Sequence, residues 1–247
     1  MRFELRRFDV VTSTMDTCRA LAEQGAPEGV VVIADQQTAG RGRAGRAWYS
    51  PPGVALYLSI LLRPVQLPPA RLSWLTVIGG LAVADCAAQV LREHAAFDAH
   101  RIALKWPNDV LLDGRKVAGV LIEAAWHASE LVHVVLGVGL NVNTQFDSAP
   151  AALRTQAISL REALGAPLDR ERVLTHLLDA FAAHYARLPQ SPIAAYRQRL
   201  DTLGKSVQFM LGERSITGVA LDVDEEGALL VQTAAGVQRI THGDVLA

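Results

Sequence analysis

Three glycines and three arginines interleave between residues 40 and 46, as Gly40-Arg41-Gly42-Arg43-Ala44-Gly45-Arg46, with Ala47-Trp48 following. Glycine lets the backbone turn and come close to a ligand. Arginine presents a planar fork of donors matched to phosphate or carboxylate. No acid stands between Asp35 and Asp85, whereas Arg41, Arg43, Arg46, Arg63 and Arg71 all fall there. Three guanidinium groups in so short an acid-free stretch repel one another and need an anion. The segment reads as a loop that closes over one.

Gly40, Gly42 and Gly45 also satisfy the dinucleotide pattern G-x-G-x-x-G. That pattern works only with a helix directly after it and an acid about 20 residues on. Here Trp48-Tyr49-Ser50-Pro51-Pro52 follows, and the next acid is Asp85. A nicotinamide-dependent oxidoreductase is therefore excluded. A kinase-type loop would come with a catalytic Asp motif, which is absent.

Lysine is scarce: of 24 basic residues only Lys105, Lys116 and Lys205 are lysines. Two of them, eleven apart, fall in segments suited to chemistry. In Lys105-Trp106-Pro107-Asn108-Asp109 the proline stiffens a turn, Trp106 offers a flat apolar surface, and a cation and a carboxylate stand four apart. That is either a salt-bridged turn or an anion and metal site. Lys116 opens an apolar strand, Lys116 to Ala124, as a solvated end or as a ligand amine. Ser13 and Thr14 precede a helix and read as caps. His127, His133 and His184 have no metal spacing and read as structural or solvated. No Ser/His/Asp or Cys/His set is evident.

The elements around these residues alternate strand and helix. Residues 3–8 read as an edge strand and Asp16 to Gln24 as a helix closed by Gly25. Gly29 to Ala34 and Val54 to Leu62 are continuous apolar runs, read as buried strands. Pro68 to about Glu93 is a long helix. Its apolar stretch Leu72 to Leu91 is interrupted by Gly79-Gly80 and Asp85, so it reads as a buried helix and not a membrane span of about 20 apolar residues. Ile102 to Trp106, Val110 to Leu112, Lys116 to Ala124 and Leu131 to Val142 are strands, with Asp113-Gly114 as a hairpin turn. Ser159-Leu160-Arg161-Glu162 is a capping box. Helices follow at Asp169 to Leu188 and Ile193 to Leu200. After Gly204 short strands and glycine turns predict a small β-barrel, so the domains are 1–203 and 204–247. The fold class is α/β (α+β).

The 247 residues are 50% apolar and 20% charged, with net charge −1, an ordinary soluble composition with no global pull toward nucleic acid or membrane. Cys18 and Cys86 match no metal or redox spacing and read as free thiols in a reducing cytoplasm. Residues 1–10 carry charges throughout and form no signal peptide.

The segment from Gly40 through Trp48 to Ser50-Pro51 resembles the signature loop of biotin protein ligases. Lys105-Trp106-Pro107-Asn108-Asp109 and Lys116-Val117-Ala118-Gly119-Val120-Leu121-Ile122-Glu123 resemble that family's second and third signatures. Ser13-Thr14-Met15-Asp16 and Gly139-Leu140-Asn141-Val142-Asn143 are similar to two further family segments. Order and spacing agree, and the resemblance covers essentially the whole chain. It implies a class II aminoacyl-tRNA-synthetase-like catalytic domain, with a mixed sheet and flanking helices, and a C-terminal SH3-like β-barrel. It implies activation of biotin by ATP with Mg²⁺, release of pyrophosphate, and acyl transfer to a lysine of a biotin carboxyl carrier domain, with no tightly bound prosthetic group.

By the same resemblance Ser13, Thr14, Met15, Gln37, Gly40, Arg41, Gly42, Arg43, Lys116 and Gly119 would bind biotin. Arg43, Arg46, Trp48, Lys105, Asn108 and Asn141 would serve the nucleotide. Arg43, Lys116 and Asp109 would be catalytic, with Asp109 the Mg²⁺ ligand; magnesium commonly takes only one or two protein carboxylates. The loop is expected to be structureless until it orders over the mixed anhydride and excludes water. A sheet-edge homodimer is implied too. Many bacterial relatives carry a DNA-binding segment ahead of the first motif; here that motif begins at Ser13, so a cytoplasmic ligase without repressor activity, and with no DNA or membrane partner, is expected. The loop has Ala44 where many relatives have another basic residue. The nearest alternatives are a lipoate–protein ligase and a biotin-binding regulator.

Overall fold

The structure, a computed structural model, describes residues 1–211, 214–241 and 243. Seven strands form the main sheet: β1 (Glu4–Val11), β2 (Val30–Gln37), β3 (Leu56–Leu62), β4 (Ile102–Lys105), β5 (Asp109–Leu112), β6 (Arg115–His127) and β7 (Glu130–Leu140). Their order is β1-β2-β3-β7-β6-β5-β4. β1 lies parallel to β2 at one edge and the other pairs are antiparallel, so the sheet is mixed. The parallel pair needs a crossover, supplied by helix α1 (Thr14–Glu23). Between β5 and β6, Asp113 and Gly114 both have positive φ (52° and 77°), as a two-residue hairpin of primed type requires.

Helix α2 (Ser73–Glu93) covers one face of the sheet. It is apolar all round because α5 (Arg170–Tyr185) lies on its outer side, with Val173, Leu174, Leu177, Leu178 and Phe181 buried in the same core. The apolar window of α2 is long enough to cross a membrane, but 83% of it is buried inside the protein. Gly79 has a packing reason: a Cβ there would stand 2.8 Å from Val120 Cγ1, so glycine lets the helix settle onto β6. The opposite face is only partly covered. Met15, Cys18 and Ala22 of α1 pack on Val30, Val32, Leu61 and Val135, and the rest of that face stays open. Cys18 and Cys86 are buried free thiols, each pushed up to about 12 by burial.

Three short helices, α3 (Ala151–Gln156), α4 (Leu160–Leu164) and α6 (Ile193–Arg199), complete the helical set. α3 has no counterpart in the sequence reading, since one and a half turns give no apolar period. α4 starts where the capping box predicts: Ser159 Oγ accepts from the Glu162 amide at 3.1 Å. Ser159 is fully buried, so Ser159→Ala should cost about 1 kcal/mol of stability through the lost cap, read as a lower urea midpoint at unchanged slope. The last four strands, β8 (Ser206–Leu211), β9 (Arg214–Val223), β10 (Leu229–Thr233) and β11 (Gly236–Ile240), form an antiparallel sheet in the order β11-β10-β9-β8. The β9–β10 turn rests on α2 and on the turn before β5. Trp74 Nε1 donates to Glu225 O at 2.7 Å and Trp106 Nε1 to Gly227 O at 2.9 Å.

Candidate active site

The open face of the sheet becomes a cavity of about 670 Å³ because its floor lacks side chains. On β7 the positions facing this side are Val135, Gly137 and Gly139. Gly137 leaves room for Met15, whose Sδ would stand 2.9 Å from a Cβ there. Gly139 pairs with Gly119 of β6, and the Trp48 indole lies on both. Lys116 reaches the same face through a bulge. Val110 pairs with Ala118 but Leu111 with Lys116, so one extra residue, Val117, re-aims the strand start. Without it, residues three apart would face opposite ways.

One end of the cavity is a hydrogen-bonded polar wall. Gln37 Oε1 accepts from the Thr14 amide (2.9 Å) and hydroxyl (3.2 Å), and Ser59 Oγ donates to Thr14 Oγ1 at 2.8 Å. Gln37 Nε2 donates to Ser50 Oγ at 3.2 Å. Ser13 Oγ accepts from the Met15 amide at 3.3 Å, so it is the helix cap, and α1 begins at Thr14, two residues before the sequence reading put it. Both Ser13 and Thr14 line the cavity as well as shaping the helix start.

The glycine–arginine loop is not structureless. Arg41 and Ala47 form an isolated antiparallel bridge, the Gly42 amide donates to Arg46 O at 2.6 Å, and Arg43–Gly45 make a 3₁₀ turn. Ala44 (φ 53°) and Gly45 (φ 73°) both sit in the left-handed region that closes this hairpin. Gly40 is the one expected ligand contact that does not line the cavity. It is packed at the loop's root, where a Cβ would meet Ser50 Oγ at 2.7 Å and Gln37 Nε2 at 2.9 Å. Arg41 lines the cavity. Its guanidinium is taken by Asp16 (2.7 and 2.8 Å) and Glu123 (3.0 and 3.4 Å), so its charge is already balanced by protein carboxylates. These acids, not a ligand, answer the repulsion in the loop at that position. Arg43 Nη1 reaches Asn108 Oδ1 at 3.5 Å, and Arg46 Nε donates to Arg43 O at 3.3 Å.

The Lys105–Asp109 segment is a rigid turn. Asn108 Nδ2 donates to Val120 O at 2.8 Å, and the buried Tyr196 hydroxyl donates to Pro107 O at 3.2 Å. Asp109 pairs with Lys116, Nζ to Oδ1 2.6 Å, across β5 and β6. The salt-bridged turn between Lys105 and Asp109 and the solvated end at Lys116 are thus both replaced by one cross-strand ion pair inside the cavity. Lys116 Nζ also stands 5.2 Å from the Trp48 ring centre. Trp106 is not an open flat surface: it is 3% exposed and fixes the turn to the C-terminal sheet. Lys105 lines the cavity beside it.

Asn141 closes the far side. Its Nδ2 donates to Ile158 O at 3.1 Å, holding the segment after α3 against β7. The Trp48 indole N–H is buried and finds no acceptor among the described residues. That is the kind of donor a bound ligand satisfies. Sequence reasoning missed Ser59 and Gly137 as parts of this site. Only the alternating glycines of Gly137-Val138-Gly139 carried a signal, since glycine in a strand marks a close approach.

Comparison with known proteins agrees with this geometry. The Biotin/lipoate A/B protein ligase family model matches residues 7–141, and the Biotin protein ligase C terminal domain model matches residues 202–246. The chain is 38% identical over 249 residues to the biotin--[acetyl-CoA-carboxylase] ligase of Mycobacterium tuberculosis, covering 98% of this chain and 89% of that one. It is 34% identical over 241 residues to the bifunctional ligase/repressor BirA of Bacillus subtilis, covering 96% and 72%. Among solved structures, the biotin protein ligase from Aquifex aeolicus in complex with biotin and ATP superposes with a TM-score of 0.81 at 31% identity, covering 98% and 97%. The chain is a ligase and belongs to the biotin/lipoate A/B protein ligase family.

Proposed function

We propose that this chain joins biotin to AMP at the expense of ATP and passes the biotinyl group to a lysine of a carrier domain, as in acetyl-CoA carboxylase. The observation that carries the reading is the composition of one cavity. Its polar wall of Ser13, Thr14 and Gln37 suits a urea ring, its glycine floor leaves room for a compact bicycle beside Met15 and Gly119, and its cations lie at the other end. The biotin carboxylate oxygen attacks the α-phosphate, the bond to the pyrophosphate oxygen breaks, and pyrophosphate leaves. The carrier amine then attacks the acyl carbon, the bond to AMP breaks, and the amine's proton is lost to solvent. No nucleophile from the chain is needed.

In this reading Lys116 stands at the junction of the two anions, where a mobile ammonium can follow the oxygen as it becomes a mixed anhydride. Arg43, Arg46 and Lys105 screen the phosphates, and Trp48, Asn108 and Asn141 frame the nucleotide. Among the described residues no cluster of three metal-binding side chains exists, and Asp109 lines the cavity close to Lys116. That fits a magnesium ion held mostly by phosphate oxygens and water, with Asp109 as its protein ligand. Magnesium would neutralise phosphate charge there. The Bacillus relatives are named ligase/repressor; for the residues described here the proposal is the ligase half. It extends to a homodimer through a sheet edge, which sedimentation would read as twice the chain mass.

Arg43→Ala should let the adenylate escape about tenfold faster, worth ~1.4 kcal/mol, since the loop loses a cation facing the phosphate. The check is trapping of released adenylate after gel filtration. The reading itself is tested by pyrophosphate release from MgATP with biotin or with lipoate. Release with biotin alone supports it, and release with lipoate alone would keep the chemistry but overturn the substrate.

A further inference from the structure

Arg41 is at the centre of a closed ring of four charges. It bonds Asp16 and Glu123, and Arg19 bonds both of the same carboxylates, with Glu123 Oε2 at 3.2 Å. The ring joins three separate elements: α1 through Asp16 and Arg19, the root of the loop through Arg41, and β6 through Glu123. Neither Asp16 nor Glu123 lines the cavity, whereas Arg41 does. The four side chains are between 31% and 44% exposed, so each pair adds little to global stability. A bidentate guanidinium held from two directions instead fixes an orientation.

The Gly42–Arg46 and Trp48–Gly40 backbone bonds close the hairpin but do not aim it. Past the root, the Arg43–Asn108 bond at 3.5 Å and the Trp48 indole on the glycine floor tie it to the rest of the protein. The tip from Ala44 to Ala47 is exposed. β6 also carries Lys116 and Gly119, so a tie from Arg41 to Glu123 sets the loop's angle relative to the strand that holds Lys116.

We propose that Asp16 and Glu123 are positioning residues that act through Arg41 to hold the glycine–arginine loop closed over the activated acyl group. The inference rests on the ligase reading given above. The ring works before any ligand arrives, and it keeps Arg41 out of direct competition for the bound anion. Because its pairs are partly exposed, salt weakens it.

The experiment compares Asp16→Asn and Glu123→Gln with the unaltered chain. Trypsin cleavage after Arg43 and Arg46, followed without ligand by mass spectrometry, should speed up at least fivefold in both variants. Adenylate should escape five- to tenfold faster and the KM for biotin should rise by a similar factor, while kcat stays within twofold. Raising salt from low to molar should speed loop cleavage in the unaltered chain and change it little in the variants. A purely structural role would lower thermal stability and leave the cleavage pattern, the adenylate lifetime and the KM unchanged; that result overturns the proposal. If either variant fails to fold, the salt response of the unaltered chain decides, and its absence also overturns the proposal. The ligand-free cleavage reads the ring even if biotin proves not to be the substrate, so the two failures are distinguishable.

Discussion

Replacing Lys116 by alanine is expected to slow biotin-dependent pyrophosphate release about a hundredfold, which corresponds to ~2.7 kcal/mol of lost transition-state stabilisation. Two effects add. The reacting oxygens lose the ammonium that faces them, and Asp109 loses its partner at 2.6 Å. The freed carboxylate then adds repulsion where two anions must already meet. Stability should change by no more than about 1 kcal/mol, because the pair is only half-buried. Lys116→Arg should recover part of the rate, since charge is kept but the compact, mobile head is not. Transfer from chemically made adenylate to the carrier, measured separately, should fall less than adenylate synthesis. Unaltered synthesis in Lys116→Ala would return Lys116 to a merely structural ion pair.

The second large effect is expected from Gly139→Ala. The backbone at Gly139 has no positive φ, so alanine fits the strand itself. The new methyl, however, would stand 2.5 Å from Trp48 Cε2 and 2.7 Å from both Cζ2 and Nε1. Trp48 cannot slide away with its backbone, because its amide is bonded to Gly40 O at 2.9 Å. The indole must leave the floor, and the loop loses its anchor over the cavity. Adenylate lifetime should fall at least tenfold and the KM values for biotin and ATP should rise together. Tryptophan emission should shift to the red as the indole meets water. Thermal stability near that of the unaltered chain would show that the effect belongs to the site. An unchanged adenylate lifetime would mean that the glycine floor does not seat Trp48 during turnover.

What the sequence made legible was local. The apolar runs became β2 and β3, Asp113-Gly114 became the hairpin turn, and Ser159 became a helix cap, because each depends on neighbours within a few residues. The motif residues converge on one cavity, with Gly40 set behind its wall. The illegible parts are long-range. Asp16 and Glu123 lie 25 and 82 residues from Arg41, so an acid-free stretch of sequence gave no sign that carboxylates surround its first arginine. Trp106 finds its acceptor 121 residues away in the C-terminal sheet, which turned an expected stacking surface into a buried peg. The bulge at Val117 inverts the alternation that a regular strand would give, so period-2 reasoning puts Lys116 on the wrong face. The ordered hairpin hidden in Gly40–Arg46 depends on Ala44 adopting a left-handed conformation that composition favours only in glycine.

The most direct test of the central claim is the mass of an apo biotin carboxyl carrier domain after incubation with the purified chain, biotin and MgATP. The account predicts one biotinyl group per carrier, on its acceptor lysine, with one AMP and one pyrophosphate formed for each, and no addition when lipoate replaces biotin. A carrier whose mass is unchanged while ATP is intact, or a gain of mass with lipoate alone, would contradict it.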